Sequence, residues 1–283
     1  MIYFPIIAAI ALAGGTVLER HILKRKEIDI RRYQTLGFLT ISLILLPMLY
    51  FFWKLDPQAL QLKNILILIA VVICSMVANL FTFYSMKGEK ISNLEPAKML
   101  EPLFTILLAV LFSLFFQGAY ESNPKVLVAS LVAGLVLILT HINKEQLRFN
   151  KYFTAAIIGS FFFALEIIIS NLILELYSPV TFYFLRCFGI FVFSLILFRT
   201  KLSGVDKKLK IDLVTVGIIW VLYRVVAYYG YLKIGIVSTT LILMLGAALI
   251  YLFAKIFLKE KINKKNIIAS IVILACIIYA SFA

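Results

Sequence analysis

Apolar residues in this chain neither alternate nor form a helical stripe; they run on for about twenty positions at a time. Ten such runs are legible, at approximately 2–20, 35–53, 64–85, 96–116, 125–142, 152–173, 179–199, 211–232, 236–257 and 266–282. A run of ~20 apolar residues crosses a ~30 Å hydrocarbon core as a helix. In lipid the backbone must satisfy its own hydrogen bonds, so each run is expected to be helical. The connections are short and polar and leave no room for a soluble domain. The opening MIYFPIIAAIALAGG has no basic leading segment, so it reads as a first span rather than a cleaved signal peptide. The pattern predicts an all-α, polytopic membrane protein of ten transmembrane helices.

Composition agrees with this reading. Hydrophobic residues make up 63% of 283, and the mean hydropathy is +1.03. Soluble domains stay near 45–50% apolar, which excludes an ordinary soluble enzyme and a disordered chain. The net charge of +14 needs a separate explanation. If residues at helix ends are counted with the loop they adjoin, 21 of the 28 Lys and Arg lie in loops 1–2, 3–4, 5–6, 7–8 and 9–10. Four lie in the intervening loops, and Arg186, Arg224 and Lys255 lie within spans. The excess is therefore a topology signal spread over small loops, and no nucleic-acid partner is expected. The positive-inside rule puts the basic side in the cytoplasm and both termini outside, in the plasma membrane.

Catalytic motifs are missing. Cys74, Cys187 and Cys276 sit singly in apolar runs, and the two histidines, His21 and His141, flank span ends. No metal-ligand spacing or glycine-rich nucleotide fingerprint appears. Neither a metal, a cofactor nor an enzymatic activity is expected.

The two halves resemble each other. NPKVLVASLV at 123–132 aligns with NKKNIIASIV at 263–272 with five identities in ten. QTLGFLTISLIL at 34–45 aligns with RCFGIFVFSLIL at 186–197 with five in twelve, and MKGEKIS at 86–92 aligns more loosely with LKIGIVS at 232–238. The matches keep their order, which points to a duplication with halves at 1–145 and 146–283. Five spans per half is an odd number, so the halves insert in opposite orientations, an inverted-topology repeat typical of secondary transporters.

The closing stretch FLKEKINKKNIIASIVILACIIY, with its Glu260–Lys261 turn, resembles the EamA-type branch of the drug/metabolite transporter superfamily. Pro96 and Pro102 in the fourth span and Arg186 early in the seventh also fit its pattern. The first half departs from it, with QGAYESNP where the turn would stand. The resemblance implies cytoplasmic termini, against the loop charges, which act on the loops actually present. It further implies that spans 3, 4, 8 and 9 help line a central cavity. On that basis Asn79, Tyr84, Glu101, Arg224, Tyr228, Ser238 and Thr239 are the candidate substrate-binding residues.

An ionisable side chain at mid-bilayer costs ~2.5–3.5 kcal/mol on insertion scales, so those within spans need a reason. With a rise of ~1.5 Å per residue, Glu101 is expected roughly 7–8 Å from the basic side. By the same rise Glu166, Arg186 and Arg224 lie roughly 20 Å from it. This predicts two polar layers, displaced in opposite directions. Lys98, Glu166 and Arg186 are the candidates for gating or buried ion pairs. Glu19, Arg20 and Glu95 read as helix ends at the headgroups. Glu101, beside Pro102, is the candidate for proton coupling. The small residues Gly14, Gly15, Gly134, Gly159, Gly189, Gly217 and Gly246 are expected to let helices approach closely. The expected function is secondary transport of a small polar or amphipathic metabolite by alternating access. The alternative is a flippase or scramblase for lipid or lipid-linked headgroups, with Arg186 and Arg224 facing lipid.

Overall fold

The computed structural model describes residues 3–25, 27–89, 91–116, 124–141, 150–246, 249, 271–272, 274–276 and 278–279. Six of its helices are long and apolar enough to cross a membrane. These are α1 (Tyr3–Leu23), α2 (Ile30–Phe52), α3 (Leu62–Gly88), α7 (Lys151–Asn171), α8 (Pro179–Phe198) and α9 (Lys207–Ile234). Shorter helices complete the bundle: α4 (Ile91–Lys98), α5 (Leu100–Ser113), α6 (Pro124–His141) and α10 (Ile236–Leu243). Among the described residues the only β pairing is one isolated bridge. Most of the tenth span and most of the ninth beyond α10 lie outside the described residues, as do Lys255, Glu260 and Lys261.

Local chemistry sets the helix ends. Asp29, Asn150, Ser178 and Asp206 each stand at an N-cap and accept backbone N–H groups of the first turn. Pro179 follows Ser178 at the first helical position, where an amide proton has no partner to lose. Gly235 separates α9 from α10 at φ 82°, ψ 164°, backbone that a Cβ would strain.

The fourth span is not continuous. It begins at Ile91, earlier than its apolar run predicts, and breaks at Met99. Pro102 explains the position of the break: its missing N–H falls in the first turn of α5, where it costs no helical bond. The break frees carbonyls of α4, and Ala97 O accepts the Ser160 hydroxyl of α7 at 3.1 Å. The ninth span behaves the same way: α10 ends at Leu243 and Met244 is a turn. Each half thus has an eight-residue helix followed by a break.

Helix packing follows a two-fold. The most extensive contacts are α3 on α7, α1 on α9 and α2 on α8. Exchanging the halves turns the first pair into the second and leaves the third unchanged. Small residues permit this closeness. A Cβ added to Gly159 would lie 2.7 Å from Thr82 Oγ1, so α7 can only meet α3 there without one. Gly14 departs from the expectation, since an added Cβ would meet nothing within 4 Å; α1 makes its close contact one residue on, at Gly15 against Ile219 and Trp220.

Both ends of the bundle are tied across the halves. On the side away from the basic loops, Leu55 and Tyr177 form the antiparallel bridge. Asp56 N donates to Leu176 O at 2.8 Å and Ser178 N to Lys54 O at 3.2 Å. On the basic side Arg25 pairs with Asp212 at 2.6 Å, Arg32 donates to Ser203 O, and Asn150 donates to Glu89.

Candidate functional site

A cavity of about 170 Å³ lies inside the bundle, with walls from both halves. Most of the wall is apolar, and aromatic rings of Phe38, Phe83, Phe163, Tyr183, Trp220 and Tyr223 contribute to it. Five ionisable side chains line it: Glu19, Lys98, Glu101, Arg186 and Arg224. Groups from both expected layers thus border one cavity. Glu101 shares this cavity with Arg224 and Lys98.

Behind the cavity wall lies a fully buried polar network. Glu166 on α7 is inaccessible, and two arginines converge on it. Arg186 Nε is 3.4 Å from its Oε1, and Arg224 Nη1 is 3.6 Å from its Oε2. Arg186 also donates to Ser75 Oγ on α3 at 2.6 Å and to the Tyr228 hydroxyl at 2.8 Å. Tyr228 and Ser170 in turn donate to Glu166 Oε1, at 3.2 Å and 3.1 Å. A buried ion pair survives only with such additional hydrogen bonds, and Arg186 has them.

Arg224 is held differently. Its guanidinium lies over the rings of Phe163 and Tyr223, at 5.4 Å and 5.2 Å. Its Nη1 and the facing Glu166 Oε2 have no hydrogen-bond partner among the described residues. One carboxylate thus meets two guanidiniums, and its contact with Arg224 is the longer of the two. Arg224 also borders the cavity, where a guanidinium suits an acceptor group on a ligand.

The structure brings together Asn79, Lys98, Glu101, Arg186 and Arg224 at the cavity. Asn79 Nδ2 donates to its own helix, at Ser75 O. Tyr228 and Glu166 stand one layer behind, in the network. Thr239 is fully buried against Gly230, and Ser238 is half-buried on the same helix; neither is on the cavity wall, whereas Thr240 is. Tyr84 is 37% exposed and packs on Tyr152 outside the cavity.

Glu19 differs from its sequence expectation. It is no headgroup-facing helix end: it is 6% exposed and lines the cavity, accepting the Tyr33 hydroxyl at 3.2 Å. Its pattern position, near the end of an apolar run, looks interfacial because only the packing of α2 and α9 covers it. Tyr33, Gln34 and Trp220 also line the cavity and had no motif to announce them.

Comparison with known proteins adds the following. The sequence profile of the EamA-like transporter family matches residues 1–140 and again 150–282. A protein of known crystal structure superposes with a TM-score of 0.69 over 99% of this chain and 96% of its own, at 13% identity. At that identity the likeness shows the fold alone. No curated protein matches the chain in sequence.

Proposed function

The chain belongs to the EamA-like transporter family of the drug/metabolite transporter superfamily, and from that premise we propose that it is a secondary transporter of a small polar or amphipathic metabolite, working by alternating access. One observation carries the proposal: a mostly apolar cavity between the two repeats is bordered by Arg224, whose contact with Glu166 is long at 3.6 Å. An apolar wall with few convergent polar groups is the ordinary character of a small-molecule site. The substrate binds there with an acceptor group on Arg224, flanked by Asn79 and Glu101. Lys98, Glu166 and Arg186 hold the helices around it, and Tyr228 keeps Arg186 and Glu166 in register. Ser238 and Thr239 act from the second layer, beside Thr240, and Tyr84 acts at the cavity's margin. Glu101 couples transport to protons.

The reading includes ten spans with halves at 1–145 and 146–283. It further includes a plasma-membrane location with the basic loops in the cytoplasm and both termini outside. The family and the apolar helices support an integral, multi-pass protein of a non-enzymatic kind. The lipid-headgroup flippase reading would place Arg186 and Arg224 toward lipid; their exposures of 2% and 5% favour the transporter.

The test is a thermal-shift screen of the purified protein against amino acids, nucleotides, sugars and organic cations, followed by uptake of the stabilising compound into proteoliposomes. A ligand of the folded state raises the melting temperature by mass action, with ~2.7 kcal/mol of added stability at a hundredfold excess over Kd. The expected result is stabilisation in the parent, its loss in Arg224→Gln, and uptake that follows an imposed pH gradient. Stabilisation equal in Arg224→Gln would overturn the site. Uptake indifferent to the gradient and unchanged in Glu101→Gln would overturn the coupling.

A further inference from the structure

The two repeats treat their buried acids differently. Glu166 stands five residues before the end of α7, and Glu19 four before the end of α1. Glu166 is met by Arg186 and Arg224. In the first half, an amide occupies the place that matches Arg186: Gln34 stands opposite it in the aligned QTLGFLTISLIL and RCFGIFVFSLIL segments. Among the described residues Glu19 has no guanidinium ion pair.

Each element packed around Glu19 supplies a different neighbour. From α2 the Tyr33 hydroxyl donates to Oε1 at 3.2 Å. From α9 the Trp220 indole faces it, and from α4 the Lys98 ammonium acts on it. Lys98 itself reaches the Met86 sulfur, at 3.7 Å. Arg20, next on α1, is turned away to Met86 O, and Lys87 to Ile28 O. Asp212 on α9 is occupied by Arg25. Glu101 lies further along the cavity, where Arg224 and Lys98 act on it.

Tyr33 has a second position of interest. A separate cavity of about 250 Å³ lies on the basic side, among Arg25, Glu27, Asp29, Arg32 and Asp206. Tyr33 and Leu213 belong to its wall and also to the wall of the central cavity. The Tyr33–Glu19 hydrogen bond thus stands on the partition between an outer vestibule and the central site.

We propose that Glu19 is a proton-binding site that controls this partition. The carboxylate accepts the Tyr33 O–H and holds the ring across the opening, where Phe83 meets it edge-on at 5.1 Å. A proton entering from the vestibule binds a Glu19 oxygen. No covalent bond to carbon is made or broken, and the only change is from carboxylate to carboxylic acid. A neutral acid is a weaker acceptor than an anion, so Tyr33 loses most of its hold and can turn into the vestibule. Gln34, standing where the second half has Arg186, leaves Glu19 without the guanidinium that Glu166 has. The inference rests on the transporter reading, but its test needs no substrate and can fail independently.

The chain has two tryptophans, Trp53 and Trp220. Trp53 is 53% exposed at the far end of α2, so Trp53→Phe leaves Trp220 as the sole reporter beside Glu19. In that background, protein in nanodiscs is titrated over about pH 5 to 9, a window that brackets groups poised near neutrality. Trp220 emission and its quenching by acrylamide are followed. The expected result is a single transition, with quenching several-fold greater on the acid side. Glu19→Gln removes the transition and Glu101→Gln retains it. Tyr33→Phe, which keeps the acid but loses the O–H, is readily quenched at every pH. A parent without a transition, one that survives Glu19→Gln, or one that vanishes in Glu101→Gln overturns the proposal. If Glu19→Gln does not fold, Tyr33→Phe decides: quenching that stays low and pH-dependent, as in the parent, overturns it.

Discussion

Glu166 shows how much one residue can hold. It is inaccessible, receives hydrogen bonds from Tyr228 and Ser170, and neutralises one guanidinium fully and a second in part. Such a group contributes little when compared with an apolar side chain of the same shape, because desolvation offsets attraction. Its removal is another matter. Glu166→Gln leaves two buried cations without an anion, and breaking buried pairs in this way costs ~3–5 kcal/mol. The variant is expected to unfold at a markedly lower temperature in detergent than the parent. Glu101→Gln, whose carboxyl has no comparable network, should lie close to the parent in the same measurement. Equal melting temperatures for Glu166→Gln and the parent would show that the arginines find other partners.

At the scale of elements, the breaks matter more than the helices. The break at Met99 exposes the Ala97 carbonyl to Ser160. The junction at Gly235 turns the chain so that α10 can pack against α1, α5 and α6. Its φ of 82° with ψ of 164° is backbone that essentially only glycine adopts, at a cost of order 1–3 kcal/mol for other residues. Gly235→Ala should therefore lower the unfolding temperature by several degrees, whereas Gly14→Ala, where a methyl meets open space, should not. A Gly235→Ala protein as stable as Gly14→Ala would mean that the junction relaxes without strain.

The whole molecule is closed at both ends by different chemistry. The far end is zipped by backbone hydrogen bonds between residues 54–56 and 176–178, whereas the basic end is tied by charged side chains. Leu55 and Tyr177 face each other across the bridge, a spacing that suits a disulfide. In a background lacking Cys74, Cys187 and Cys276, the pair Leu55→Cys and Tyr177→Cys should cross-link. Oxidation should stop uptake of the stabilising ligand, and a reductant should restore it. Uptake that continues through the closed disulfide would show that the far end does not open during transport.

Sequence by itself determined the helical membrane class, the duplication and the family resemblance, and it flagged Arg186, Arg224, Glu166, Lys98 and Glu101 as groups needing a reason. These conclusions rest on hydrophobic runs, loop charges and the cost of charge in lipid, which are local properties of the chain. Tertiary structure decided which of those groups share a cavity. It also decided that Glu19 is inside rather than at the headgroups, and that Tyr33 stands between two chambers. Depth along a straight helix can be counted from sequence. Burial depends on neighbours that arrive from distant segments, as α2 and α9 do at Glu19.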